Sequence, residues 1–309
     1  MEFLYALQKI ANPVLDSVML TITHLGEETV FLIIAMILLW CVDKYNGFYM
    51  LTVGFLGTQI NGLLKVTFRI ERPWVRDPNF KAVEAAIPEA TGYSFPSGHT
   101  QSSVGSFGSV ARFTKVKWLR IACIALCLLV PFSRMYLGVH TPADVLVSFI
   151  IALILIFVFY PIIEKGRHNV NVMRILFAVM LVWSIGQVIF MHVFPFPADV
   201  ADSAEIFSGF KNAYKLLGAI SGLWVVFEIE RKYINFDTKA VWYAQVLKVV
   251  LGLGLTLAVK EICYAVLGLF MPELWYRFAA YFLMVIFAGA VWPLTFKYFA
   301  KLKSKKCCK

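Results

Sequence analysis

The chain has 309 residues, of which 60% are hydrophobic and only 16% charged, with a net charge of +10. Its mean hydropathy is +0.74 and its charges collect between long apolar runs, which excludes a soluble two-domain protein and describes a polytopic membrane protein. The positive balance then reflects topology and attraction to anionic inner-leaflet lipid, about 1 kcal/mol per basic residue near the surface, and implies no nucleic-acid partner.

Met1 to Leu25 lacks a basic n-region and a small-residue cleavage site, so it reads as an interfacial amphipathic helix and not as a removable signal. Apolar segments follow at about residues 26–43, 46–68, 98–113, 118–133, 142–163, 172–193, 214–229, 243–270 and 277–297. They predict an all-α fold, a polytopic membrane helical bundle of nine spans, although 98–113 and 214–229 are shorter than the roughly 20 residues a perpendicular span needs.

An odd number of spans puts the termini on opposite sides, and Lys/Arg density chooses between them. Lys44, Arg112, Lys115, Lys117, Arg120, Lys165, Arg167, Arg174, Arg231, Lys232, Lys239 and the tail from Lys297 to Lys309 share one side. That side is the expected cytoplasmic face of a plasma membrane, leaving the amino terminus extracytoplasmic. Cys41, Cys123, Cys127 and Cys263 fall in apolar helices as small buried residues, without metal-site spacing. Cys307 and Cys308 sit in the basic tail, a position open to palmitoylation.

The polar, basic stretch Lys165 to Asn171 is the expected boundary between a core, residues 1–163, and a four-span extension, residues 164–309. In the extension, Lys260 and Glu261 lie inside a span, where ionisable groups are costly, but neighbours on a helix need not pair. An outward loop near Phe194 to Lys215 carries Asp199, Asp202 and Glu205.

Three stretches in the core carry chemistry. Lys65, Arg69 and Arg72 are spaced four and three apart, so a helix continuing to Pro73 would place them on one cationic face. Pro96-Ser97-Gly98-His99 precedes a small, polar span: Ser97 reads as an N-cap, Gly98 admits close approach of a ligand to the backbone, and free amides with the helix dipole converge on an anion beside the titratable ring of His99. Ser133-Arg134 leads to His140, then Thr141-Pro142-Ala143-Asp144 reads as cap, first-turn proline and acidic third residue. Asp144 thus has a structural role, yet four residues beyond His140 it can also reach the imidazole and stabilise charge on it. His24, His168 and His192 show no ligand-like partners in the sequence and are assigned no chemistry. The inventory is three cations, a capping Ser-Gly pair, two histidines and a carboxylate, enough to hold and attack a phosphoryl group without a metal cluster.

Together these stretches, Lys65-x6-Arg72-Pro73, Pro96-Ser97-Gly98-His99 and Ser133-Arg134-x5-His140-x3-Asp144, resemble the signature of the type 2 phosphatidic acid phosphatase superfamily, which includes vanadium haloperoxidases and glucose-6-phosphatase. The resemblance covers residues 1 to about 163. It implies that His140 attacks phosphorus to form a phosphohistidine, that His99 protonates the leaving oxygen and then activates water, and that Asp144 orients His140. It also implies that Lys65, Arg72, Arg134 and the Ser97-Gly98 amides hold the non-bridging oxygens, with no cofactor.

The expected function is hydrolysis of a lipid phosphate or pyrophosphate at the outer membrane face, among membrane lipids. A phosphotransferase using the same intermediate, a sugar-phosphate phosphatase of the glucose-6-phosphatase type and a non-catalytic membrane module are the alternatives. The four added spans are open to gating lipid entry, an oligomer contact or a separate transport activity.

Overall fold

A computed structural model describes residues 1–302; Cys307 and Cys308 lie outside the described residues. Among those residues the fold is helical with no strand. The helices are α1 (Glu2–Lys9), α2 (Pro13–His24), α3 (Glu28–Ile37, continued by a π-helical turn Leu38–Val42), α4 (Lys44–Phe68) and a single turn α5 (Pro73–Arg76). Then come α6 (Gly98–Phe113), α7 (Lys117–Tyr136), α8 (Pro142–Gly166), α9 (Val170–Val193), α10 (Ala204–Ile229), α11 (Trp242–Leu267), α12 (Glu273–Ile286) and α13 (Phe296–Ala300).

Five of these elements are long and apolar enough to cross a membrane, namely α7, α8, α9, α11 and the stretch Glu273–Ala300, and the pair α2–α3, bent by 46°, adds a sixth if it forms one span. This is a polytopic helical bundle. The other three expected spans form helices whose length or composition keeps them outside that set: α6 has only 16 residues, and α4 turns Thr52, Gln59 and Asn61 into the protein interior. Length alone would serve for α4, since 25 residues rise about 38 Å. Most boundaries fall within a few residues of expectation. The exception is α10, which starts ten residues before 214, because the amphipathic stretch Ala204 to Ala213 is helical despite its charges. The amino-terminal segment is two helices, α1 and α2, where one was expected.

Two compact units emerge. The first comprises Met1–Ile34, Tyr49–Pro161 and Ala198–Gly209; the second comprises Ala35–Phe48, Ile162–Pro197 and Phe210–Lys309. In the first, α4 and α6 pack so closely that a Cβ at Gly57 would lie 2.1 Å from Gln101 Nε2. Beneath the loops, Leu7 joins Ala86, Ala90, Tyr136, Leu137 and Val139 in a buried cluster, and Tyr136 donates to Asp16 at 2.8 Å, so α1 and α2 pack into this unit. In the second, Gly218 and Gly222 let α10 approach α12: a Cβ at Gly218 would stand 2.2 Å from the Phe278 carbonyl oxygen. There Trp40 Nε1 donates to the Ala288 carbonyl, and buried Lys248 donates to the Trp40 carbonyl at 3.0 Å.

Candidate active site

Every motif residue lies in the first unit, at the ends of α4, α6, α7 and α8. The expected cationic face does not form. Helix α4 stops at Phe68 because Arg69 adopts a left-handed conformation, φ 49°, and turns its guanidinium back to the Val66 carbonyl. Arg72 is consequently delivered by extended backbone, as the cap of the short turn that Pro73 begins. Its guanidinium is bound on several edges: Nε to the Gly92 carbonyl at 3.1 Å, Nη2 to Thr91 at 2.7 Å and Nη1 to Val139 at 2.9 Å. Lys65 Nζ donates to the Tyr93 carbonyl. The segment 91–93 therefore lies across two of the site's cations.

Ser97 caps α6 as expected, its Oγ accepting from the Thr100 amide, and Asn61 holds the Ser97 carbonyl at 3.1 Å. Gly98 is exposed, and a Cβ there would meet nothing within 4 Å. The open first turn of α6 is thus accessible to an anion. At α8 the cap is reciprocal: Thr141 N donates to Asp144 Oδ2 at 2.8 Å and Asp144 N to Thr141 Oγ1 at 3.4 Å, a capping box in which Asp144 is both cap and site residue. The Ser97 amide donates to the Asp144 carbonyl, tying the starts of α6 and α8 together. Just upstream, Gly138 at φ +74° turns the chain into His140, a position where the Phe80 ring leaves no room for a Cβ.

His140 and Asp144 are each 2% exposed. Asp144 Oδ2 stands 3.5 Å from His140 Nδ1, and Arg72 Nη1 stands 2.9 Å from Nε2 and 3.5 Å from Nδ1. A guanidinium only donates, so Nε2 is the acceptor and the imidazole proton sits on Nδ1 beside the carboxylate. Burial first, then the charges of Arg72, Arg134 and Lys65, hold the His140 pKa well below the usual imidazole range. The ring is neutral at pH 7, with a lone pair directed at a cation. Burial also pulls Arg72 down to about 10, against the favourable charge of Asp144, so it is fully charged at neutral pH.

Arg134, at the end of α7, is 1% exposed. Its Nη1 donates to Thr23 Oγ1 at 2.7 Å, whereas its Nε and Nη2 are buried without a partner among the described residues, as is His99 Nε2. Buried donors of this kind are costly unless a ligand completes them. His99 is also close enough to His140 to contribute to its electrostatic environment.

Three contributors escaped the sequence reading. Ser94 is fully buried and its Oγ donates to Asp144 Oδ2 at 2.6 Å, so the carboxylate is held from two sides. Thr23 comes from α2, and Asn61 from mid-α4. Ser94 sits three residues before Ser97, a proximity that could have flagged it; nothing in the pattern marks Thr23. His24, assigned no partner from sequence, has two: Nδ1 lies 2.6 Å from Glu27 and 3.6 Å from Glu89, and the three side chains could share a cation. His192 Nε2 lies 3.1 Å from the Tyr214 hydroxyl. Lys260 pairs with its neighbour Glu261 at 2.8 Å.

The PAP2 superfamily profile matches residues 45–168, and a second profile, PAP2 superfamily phosphatase, transmembrane extension, matches residues 214–305. The chain is 33% identical to undecaprenyl-diphosphatase BcrC of Bacillus subtilis over 173 residues, covering 55% of this chain and 86% of that protein. It is 32% identical to phosphatidylglycerophosphatase B of the same organism, covering 52% and 80% respectively. Sphingosine-1-phosphate phosphatase 1 of Rattus norvegicus is 24% identical over 60% of this chain and 44% of its own length. No solved structure matches.

Proposed function

The chain belongs to the PAP2 superfamily, and on that premise we propose that it is an integral membrane phosphatase hydrolysing a lipid phosphate monoester or pyrophosphate through a phosphohistidine at His140. The observation that carries this reading is the buried, neutral imidazole whose Nε2 lone pair meets Arg72 while its Nδ1 faces Asp144. Around it, Arg134 Nε and Nη2 are buried donors without an acceptor among the described residues, which suits them to an anionic substrate.

In the first step His140 Nε2 bonds to phosphorus as the P–O bond to the leaving group breaks, and His99 gives that oxygen its proton. Asp144 keeps the Nδ1 proton in place and offsets the positive charge that develops on the ring. In the second, His99 takes a proton from water, the water oxygen attacks phosphorus, and the N–P bond breaks to release inorganic phosphate. Lys65, Arg72, Arg134 and the Ser97-Gly98 amides stabilise the equatorial oxygens, which is most of what phosphoryl transfer requires, so the chemistry needs no metal.

A lipid substrate is favoured because the named relatives act on undecaprenyl diphosphate, phosphatidylglycerophosphate or sphingosine 1-phosphate, and because the site lies at the ends of membrane-crossing helices. Counting α4, α6 and α10 with the six apolar elements supports nine spans in a plasma membrane. The amino terminus and active site are then extracytoplasmic and the carboxyl terminus cytoplasmic. Residues 1–163 act as the phosphatase core and 164–309 as the membrane extension. The test is phosphate release from undecaprenyl pyrophosphate, phosphatidylglycerophosphate, phosphatidate, sphingosine 1-phosphate and glucose 6-phosphate, with His140→Ala as control. Turnover of a lipid substrate that vanishes in the variant is expected; turnover confined to glucose 6-phosphate would overturn the lipid assignment.

A further inference from the structure

At the opposite ends of the helices that carry the site, a groove of about 370 Å³ opens between α6, α7 and α8. Its walls are apolar, with Ile124, Leu128, Leu153, Ile156 and Phe157 among them, and Leu128 and Phe157 are more than half exposed. Gly108 forms part of the floor, where a Cβ would stand 2.6 Å from Ile156 Cδ1. Two guanidiniums, Arg112 and Arg120, complete the lining.

Both are held in place without being neutralised. Arg112 lies over the Tyr160 ring, 4.3 Å from its centroid, which fixes the guanidinium plane by cation–π contact and leaves its N–H edge free. Arg120 anchors Nη2 on the Thr114 carbonyl. Among the described residues neither forms an ion pair with a carboxylate. Arg112 follows His99 by thirteen residues of α6, so the groove lies about 20 Å along the helix from the phosphate site and is separate from it.

We propose that this groove binds an anionic phospholipid of the leaflet opposite the active site, with an acyl chain along α7 and α8 and the phosphate between Arg112 and Arg120. The occupant follows from complementarity. An apolar channel open toward the bilayer accepts a hydrocarbon chain, and two unneutralised, pre-oriented cations at one end select a lipid with net negative charge over a zwitterion. The proposal depends on the membrane-spanning reading of α7 and α8 and not on the catalytic chemistry.

The test is native mass spectrometry of the full-length protein released from detergent micelles with equimolar phosphatidylglycerol and phosphatidylcholine, followed by titration with each lipid alone. The wild type is expected to retain phosphatidylglycerol preferentially. Arg112→Gln with Arg120→Gln should weaken phosphatidylglycerol binding about 30-fold and phosphatidylcholine binding much less, so that the preference is lost. Leu153→Trp, which fills the channel, should displace both lipids. Equal retention of the two lipids by the wild type, an unaltered preference in the double Arg variant, or a groove protected by a second copy of the chain would each overturn the proposal. Unchanged melting temperatures in lipid-free detergent verify that the variants are folded, and the double Arg variant decides the matter if Leu153→Trp does not fold.

Discussion

Arg72 donates its Nη1 proton to His140 Nε2 at 2.9 Å, so the cation proposed to bind phosphate also caps the nitrogen proposed to attack it. An incoming phosphate offers Arg72 stronger, charged acceptors than a neutral ring, and its arrival releases the Nε2 lone pair. In the proposed mechanism the nucleophile would thereby be uncovered by the group it attacks.

The His140 pKa sits below its ordinary value of 6.5 because of burial and three neighbouring cations. A lowered pKa means that the neutral nucleophile persists as the pH falls through 6.5. The acidic limb of kcat/KM is therefore expected below pH 6.5, and Arg72→Gln, which removes the charge acting most strongly on the ring, should move it upward. An acidic limb that stays in place in the variant, read on residual activity, would separate Arg72 from His140.

Asp144→Asn keeps the capping geometry but loses the charge that stabilises the imidazolium and selects its tautomer. A loss of about 10²- to 10⁴-fold in kcat is expected, with KM little changed. Ser94→Ala removes the 2.6 Å bond that steadies the same carboxylate and should lower kcat about 10-fold. Steady-state kinetics with both variants, singly and together, tests the coupling: in the Asp144→Asn background the Ser94 change should have less effect.

Thr23→Val removes the acceptor of Arg134 Nη1 while preserving side-chain volume, leaving one more buried donor unsatisfied. The expected result is a rise in KM of about 10-fold and weaker inhibition by orthovanadate, a mimic of the pentacoordinate phosphoryl group. Inhibition constants for vanadate in wild type and variant measure this directly.

In the second unit, Gly218→Ala forces a methyl against the Phe278 carbonyl oxygen at 2.2 Å and should destabilise the packing of α10 on α12 by about 1–3 kcal/mol. Gly254→Ala, where nothing lies within 4 Å, should be close to neutral. Thermal unfolding of the two variants in the same detergent compares them.

The proposed reaction draws only on side chains and backbone amides of the protein, so activity should survive EDTA. If a divalent ion proves necessary, Glu27→Gln with Glu89→Gln identifies whether the cluster around His24 supplies it.

Much of the site could be read from the sequence because its members declare themselves by local rules. Ser97 and Thr141 are caps, Pro142 is a first-turn proline, and Asp144 is four residues from His140, all relations that a helix enforces. The failures are non-local. Whether Arg69 continues a helix depends on a single left-handed residue that no periodicity predicts. Thr23 meets Arg134 across 111 positions of chain, and Ser94 meets Asp144 across 50. Span boundaries were legible where apolar runs end in charge, as at Phe113, and not at α10, whose first turns are amphipathic.

The most direct test of the account is to trap the covalent intermediate, by rapid quench in alkaline detergent of the purified protein turning over a ³²P-labelled lipid phosphate and peptide mapping of the label at alkaline pH. Label on His140 that is labile to acid on standing, stable to base, and absent from His140→Asn is predicted. Label on another residue, or full turnover by His140→Asn, would contradict it.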